Sequence, residues 1–202
     1  MLITLFSDAS MCERRNVGGW AAWLRCDRHR YPYRTGGAFA VRVNDTAMAE
    51  SMAVVNALAS AIREGFIEAE DVVLIQTDNN SVMGVLEGTV VRRMSKAVRE
   101  RKGLTRNQAK RVVRDRNAEI GMVSAMFLSY VARHSLTVRW RHVKGHRGTV
   151  DRRSAVNTYC DEQARIHMRA ARGRTVPTLA EAMAARERKA AMSAETPRRD
   201  ET

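Results

Sequence analysis

Val72-Val-Leu-Ile-Gln-Thr-Asp78 is a compact apolar run with Glu68, Glu70 and Asp71 before it and an aspartate at its end. It is too short for a helix of ordinary length and lacks polar alternation, so it reads as a central strand buried on both faces. Immediately upstream the apolar period changes. Met48, Met52, Val55, Leu58, Ala59 and Ile62 recur at three and four residues, which predicts an amphipathic helix over Ala47–Ile62. Asp45 or Thr46 serves as its N-cap and Gly65 as its C′ residue. Ahead of that helix lie three strand-like segments. Leu2–Phe6 ends at Asp8, a polar turn spans Cys12–Gly19, and Trp20–Arg25 and Tyr33–Val43 are joined by Asp27–Pro32. Short connections make these an antiparallel meander, while a helix between strands requires a parallel crossover.

Downstream, Ser81–Leu86 reads as a short helix and residues 91–134 as helical but split in character. The first part is basic; the second, Ala118–Val131, is core-like. Leu136–Val143 alternates as a strand, and Ser154–Ala171 forms a further helix. Thr178-Leu-Ala-Glu181 is a capping-box pattern opening an Ala/Arg/Glu-rich helix to about Ala194, either docked or largely solvated. The expected fold is therefore α/β: a mixed sheet with an antiparallel flank, helices around it and a helical tail. Residues 1–172 form the expected main domain, with a basic insert at about 91–117. Residues 173–202 form a basic tail with a helix over 178–194, and the last eight residues are expected to be disordered.

The chain of 202 residues has no run of 18 apolar residues, so no membrane-spanning helix or membrane partner is expected. The N-terminus reaches Asp8 too early for a signal peptide. Three cysteines without paired spacing fit a reducing, cytoplasmic compartment rather than a disulfide framework or a zinc site. Charge says more. Residues 1–90 hold 8 Lys and Arg against 11 Asp and Glu, whereas residues 91–202 hold 27 against 11. That asymmetry, within a net charge of +13, points to a polyanion, most simply nucleic acid.

Asp8 and Asp78 close two strands whose C-terminal ends share one edge of the expected sheet, where ligands of α/β sheets bind. Glu50 lies in the first turn of its helix and can point back at that edge, and Asp161 sits within the helix after the last strand. Each alone is as consistent with an ordinary structural acid. Four carboxylates around one point repel unless a cation lies between them, and hard divalent ions take such oxygen ligands. Two such ions, roughly 4 Å apart, stabilise both the attacking water and the leaving oxygen of a phosphodiester.

In sequence order, Thr4-Leu-Phe-Ser-Asp-Ala-Ser10, Gly18-Gly-Trp-Ala-Ala-Trp-Leu-Arg25, Ala49-Glu-Ser-Met-Ala-Val-Val-Asn-Ala-Leu58, Gln76-Thr-Asp-Asn-Asn80 and Trp140-Arg-His-Val-Lys-Gly-His146 precede Asn157 and Cys160-Asp-Glu-Gln-Ala164. This series resembles the type 1 ribonucleases H over residues 2–165. The resemblance implies a five-stranded sheet of three antiparallel and two parallel strands. It also implies hydrolysis of the RNA strand of RNA–DNA hybrids, leaving 3′-hydroxyl and 5′-phosphate ends. The implied cofactor is Mg²⁺, two ions per site, with Mn²⁺ as a substitute. Asp8 would bridge the ions, Glu50 and Asp78 would hold the first, Asp161 the second, and His146 would assist proton movement or product departure.

The same resemblance places Asn79 and Asn80, and less directly Asn16, against RNA 2′-hydroxyls. Arg92, Arg93, Lys96, Arg99, Arg101 and Lys102 would line a groove for DNA phosphates, and Lys144, Arg147, Arg152 and Arg153 form a second basic run. Three departures stand out. The first turn reads Glu13-Arg-Arg-Asn16, the apolar residues Ala47, Met48 and Ala49 replace the polar ones that commonly precede the helix glutamate, and the basic stretch has no tryptophan. The segment from His146 to Asp161 also looks long. The expected assembly is a monomer with an RNA–DNA hybrid as partner and no assigned partner for the tail. The rival readings are a DNA or junction nuclease on the same fold and a non-catalytic hybrid-binding module.

Overall fold

A computed structural model describes residues 1–90, 93–143 and 151–195, with backbone alone for 192–195. The strands are β1 (Leu2–Cys12), β2 (Val17–Arg25), β3 (Tyr33–Ala38), β4 (Val72–Thr77) and β5 (Thr137–His142). The helices are α1 (Thr46–Arg63), α2 (Ser81–Leu86), α3 (Lys96–Arg101), α4 (Arg106–Arg133), α5 (Arg152–Ala170) and α6 (Leu179–Glu195). The sheet order is β3-β2-β1-β4-β5, antiparallel across β3, β2 and β1 and parallel across β1, β4 and β5. This is the mixed five-stranded architecture the sequence predicts. No helix among the described residues is long and apolar enough to cross a membrane.

Alternation along β1 sends Ile3 and Leu5 into the layer formed with α1 and Phe6 to the opposite face, against Cys160 of α5. Ile3, Leu5 and Ile75 are fully buried, each a contribution of about 2 kcal/mol from removing apolar surface from water. On the other face α5 lies directly against β2, which explains Gly19. A Cβ there would meet the Met168 amide nitrogen and come within 2.5 Å of the Ala164 carbonyl oxygen.

Helix boundaries follow their caps. Asp45 accepts from the Met48 N–H to start α1, and Gly65, at φ +69°, follows its C-cap Glu64. In the basic region the helical break falls at Gly103, φ +62°, not where basic character gives way to apolar near residue 117. The Thr105–Gln108 capping box then starts α4, so one 28-residue helix carries basic residues at its start and core residues at its end.

Two strand ends differ from expectation. β1 continues past Asp8 to Cys12 because β2 keeps pairing with it, down to Cys12–Val17, after the parallel ladder with β4 has stopped at Phe6–Gln76. β3 stops at Ala38 rather than Val43. Phe39, Val41 and Val43 are still buried, but the following chain bonds elsewhere: the Arg42 N–H donates to the Pro177 carbonyl at 2.8 Å. That contact seats the tail. Thr178 and Glu181 form the capping box of α6, and Leu179, 4% exposed, joins the main core with Ala182 and Met183 beside it.

At the opposite end of the sheet Asp71, 1% exposed, accepts from the Met1 ammonium (2.6 Å), from Arg28 Nη2 (2.9 Å) and from the Glu68 N–H (2.9 Å). Burial pushes this carboxyl up, but those donors and the Arg28 charge outweigh it and hold it below the ordinary carboxylate range. A depressed acid stabilises the fold above its unfolded pKa and loses that contribution as pH falls through its folded value. Asp71→Asn is therefore expected to cost about 2 kcal/mol near pH 7. The melting-temperature gap to the parent should close below about pH 4, near the unfolded carboxylate pKa; a gap constant from pH 7 to pH 3 would contradict the assignment.

Candidate active site

Four elements deliver the carboxylates to one cleft of about 490 Å³, lined by Asp8, Glu50, Asp78 and Asp161 together with Ala9, Thr46, Asn79 and Asn80. Asp8 stands on β1 just beyond its last parallel pair with β4, where β4 turns away into α2. Asp78 follows the last residue of β4. Glu50 is the fifth residue of α1, so it projects from the second turn rather than the first, and no acid occupies the first turn. Asp161 lies well inside α5. The segment between His146 and Asp161 that looks long in sequence is helical from Arg152 onward.

Asp8 and Glu50 are 8% and 7% exposed and share a hydrogen bond between their carboxyls. The Ala9 N–H donates to Asp8 Oδ1 at 2.7 Å. Burial first, then the charge of Asp78, pushes the Asp8 carboxyl up to about 7. Burial and Asp8 raise Glu50 well above the carboxylate range. Asp78 Oδ2 accepts from Asn157 Nδ2 at 3.3 Å, and Asp161 Oδ2 is paired with Arg165 Nη2 at 2.8 Å. Asn157, Asp161 and Arg165 follow one another at i, i+4 on α5, so one helix face presents amide, acid and guanidinium in sequence.

These oxygens are the hard donors that divalent cations of the Mg²⁺ type take. The buried Asp8–Glu50 pair has no cationic side chain paired with it among the described residues, and burial together with mutual repulsion favours a proton there when no cation is bound. The fit is chemical rather than preformed: among the described residues no three such side chains stand close enough together to hold a metal as placed. Asp161 is drawn to Arg165 instead.

Of the other expected residues, Asn79 and Asn80 line the cleft; Asn79 Oδ1 accepts from the Ser81 N–H, holding the start of α2. Asn16, at φ +50°, sits at the tip of the β1–β2 hairpin and does not reach the cleft. Arg93, Lys96 and Arg99 line a separate groove between α3 and α4, while Lys102 borders its neighbour with Arg116 and exposed Arg101 lines neither. Arg92, Lys144, His146 and Arg147 lie outside the described residues.

Sequence reasoning passed over Arg106, Lys110 and Arg114, which complete the groove. Their i, i+4, i+8 spacing was the available signal. It also left Asn157 and Arg165 without a role, and for Arg165 nothing but its four-residue distance from Asp161 marks it.

The arrangement has solved counterparts. The N-terminal ribonuclease H domain of Rv2228c from Mycobacterium tuberculosis, solved as a maltose-binding-protein fusion, is similar over 84% of this chain and 95% of that one, at 16% identity and TM-score 0.53. LC11-RNase H1, solved in complex with an RNA/DNA hybrid, is similar over 84% of this chain and 98% of that one, at 11% identity and TM-score 0.50. No curated protein matched the sequence. The RNase H family model matches residues 2–169, and the chain belongs to that family.

The raised acids carry a pH signature opposite to that of Asp71. Between the unfolded pKa of 3.8 and the folded value of about 7, the native state binds the extra proton of Asp8, so stability falls as pH rises through that window. Without divalent metal, the melting temperature of the parent is expected to drop between pH 5 and about 7. Asp8→Asn should flatten that slope. An unchanged slope in Asp8→Asn would show that the cleft acids are not the titrating groups.

Proposed function

We propose that this protein is an endonuclease that hydrolyses the RNA strand of RNA–DNA hybrids, leaving 3′-hydroxyl and 5′-phosphate ends, with two Mg²⁺ ions as cofactor. The observation that carries the reading is the convergence of Asp8, Glu50, Asp78 and Asp161 from four elements, two of them buried and short of positive charge. Family membership supports a nuclease hydrolase. The hybrid bound to LC11-RNase H1 supports the choice of substrate.

In this reading Asp8, Glu50, Asp78 and, once released from Arg165, Asp161 would hold the ions. Bound there, the ions would supply an activated water as nucleophile and neutralise charge at the phosphodiester. Asn157 keeps Asp78 oriented through its amide donor. Asn79 and Asn80 offer amides at the mouth of the cleft to RNA 2′-hydroxyls, the groups that separate RNA from DNA. His146 is assigned to proton movement at the leaving group, a role suited to an imidazole titrating near neutrality. Arg93, Lys96, Arg99, Arg106, Lys110 and Arg114 supply phosphate contacts along the α3–α4 groove.

The decisive experiment is Mg²⁺-dependent cleavage of an end-labelled RNA–DNA hybrid, beside matched double-stranded DNA, double-stranded RNA and a branched junction. Internal cuts confined to the RNA of the hybrid are expected; cutting of the junction or of DNA would overturn the substrate. Asp78→Asn should lower the rate by about a thousandfold, since a metal ligand underwrites several kcal/mol of transition-state stabilisation. Its circular dichroism should match the parent, and near-parental cleavage would remove the metal assignment. Hybrid affinity is expected to fall steeply with salt. Lys110→Ala combined with Arg114→Ala should reduce the slope of log affinity against log salt by about 1 to 2, one lost phosphate contact per charge.

A further inference from the structure

On the α5 side of the sheet the strand register lines up Trp23, Phe6, Gln76 and Arg141 across β2, β1, β4 and β5. Alternation places Arg25 and Thr4 one step back on the same face, and the first turn of α5 brings Arg152 and Arg153 over its end. Together they line a recess of about 240 Å³, distinct from the carboxylate cleft and from the α3–α4 groove.

Two independent features mark it as a binding site. Four guanidiniums, those of Arg25, Arg141, Arg152 and Arg153, border it without a carboxylate among the lining residues; among the described residues none of the four forms an ion pair within 4.0 Å, although the nearby acid Asp151 acts on Arg153. Like charges gathered this way call for an anion. Beneath them Gln76, 2% exposed, leaves its side-chain Oε1 buried with no hydrogen-bond partner. An orphan acceptor in a buried position calls for a hydrogen-bond donor.

The two demands together narrow the ligand. A carboxylate satisfies the arginines but brings no donor of its own, and hydrogenphosphate or an acidic peptide that supplies one leaves the aromatic floor uncovered, where Phe6 and Trp23 meet edge to face with centroids 6.0 Å apart at 71°. A nucleotide meets all three demands, with a base edge for the amide, a base face for Trp23 and a phosphate for the guanidiniums. A recess of this size admits one base, and a duplex keeps its bases stacked, so the strand must be single.

We propose that this recess binds a single-stranded nucleic-acid segment, seating one unstacked base against Trp23 and Gln76 and its flanking phosphates on the four arginines. The site adds to the hydrolytic reading a contact outside the hybrid, and its test reads binding alone.

The test is fluorescence anisotropy of the full chain in EDTA with a labelled oligodeoxyadenylate of 12 nucleotides, whose exocyclic amines suit Gln76. An abasic 12-mer of the same charge and a polyglutamate peptide are the comparison ligands. Removing two phosphate contacts with Arg25→Ala plus Arg141→Ala should weaken the adenylate about tenfold and lower the salt slope by about 1.4. Arg186→Ala plus Lys189→Ala, an equal loss of charge on α6, should change affinity less than about twofold. The abasic strand should bind the parent about tenfold more weakly than the adenylate, a test of the base contact that leaves the fold untouched. Equal affinity for the two strands, equal weakening by both double variants, or competition by polyglutamate as strong as by the oligonucleotide would each overturn the proposal. Failure of the parent to cut a blunt hybrid would count against the hydrolytic reading and leave this one standing.

Discussion

Parallel pairing between β1 and β4 constrains everything placed around it. Leu2–Phe6 beside Val72–Gln76 puts two strands in the middle of the sheet with their C-terminal ends on the same edge. Parallel neighbours cannot be joined by a hairpin, so a crossover must carry α1 across one face and return the chain at Asp71. The direction of that crossover turns the N-terminal half of α1, with Glu50, toward the edge where Asp8 and Asp78 emerge. α5 then brings Asp161 from the opposite face. The site is thus a consequence of strand direction: were the β1–β4 ladder antiparallel, Asp8 and Asp78 would stand at opposite ends of the sheet.

The same geometry makes the cleft costly to the fold. Asp8 and Glu50 sit where burial and mutual repulsion disfavour charge, and the hydrogen bond between them relieves only part of it. Elsewhere the chain solves the equivalent problem with donors. Asp71 is more deeply buried than either, yet an ammonium, a guanidinium and a backbone N–H surround it. The contrast separates two uses of a buried acid. One is neutralised by the protein itself and holds the sheet together; the other is left short of positive charge at an edge open to ligand.

Much of this was legible in the sequence because the deciding patterns are local. β4 and α2 coincide with the apolar runs that predict them, and α1 and α6 start at the caps their first turns advertise. What escaped depends on partners distant in sequence. β1 outlasts its own apolar pattern because β2 pairs with it beyond the last parallel bond. β3 falls short of its pattern because Phe39, Val41 and Val43 are buried without a ladder, and the tail takes the Arg42 N–H. Composition hid the break at Gly103, since a change in residue character need not be a change in backbone, whereas a left-handed glycine is one. The convergence of Asp8, Glu50 and Asp78 was readable from two strand ends and a helix start, while Asp161 joined them through the family resemblance. The Asp161–Arg165 pair was not, because an i, i+4 acid and base on a helix are ordinary surface furniture until one of them faces a cleft.

Positive charge is distributed on the same logic. The basic residues do not form one diffuse field. Arg106, Lys110 and Arg114 share a helix face with α3 opposite, while Arg25 and Arg141 are brought to one face by strand register from positions more than a hundred residues apart. Many other charges are already engaged: Lys96 and Arg99 with Glu100, Arg111 and Arg114 with Asp115, Arg116 with Asp45. Exposed pairs of that kind hold little energy and exchange readily for phosphate, so the α3–α4 surface suits a sliding, sequence-blind grip on a backbone. Among the described residues the arginines over Trp23 and Gln76 form no such ion pairs, although Arg153 acts on nearby Asp151, and they frame a recess with a shape that would discriminate what fills it. On the proposed reading, the grip on a duplex and the recognition of an unpaired base fall on opposite sides of the sheet whose edge carries the acids.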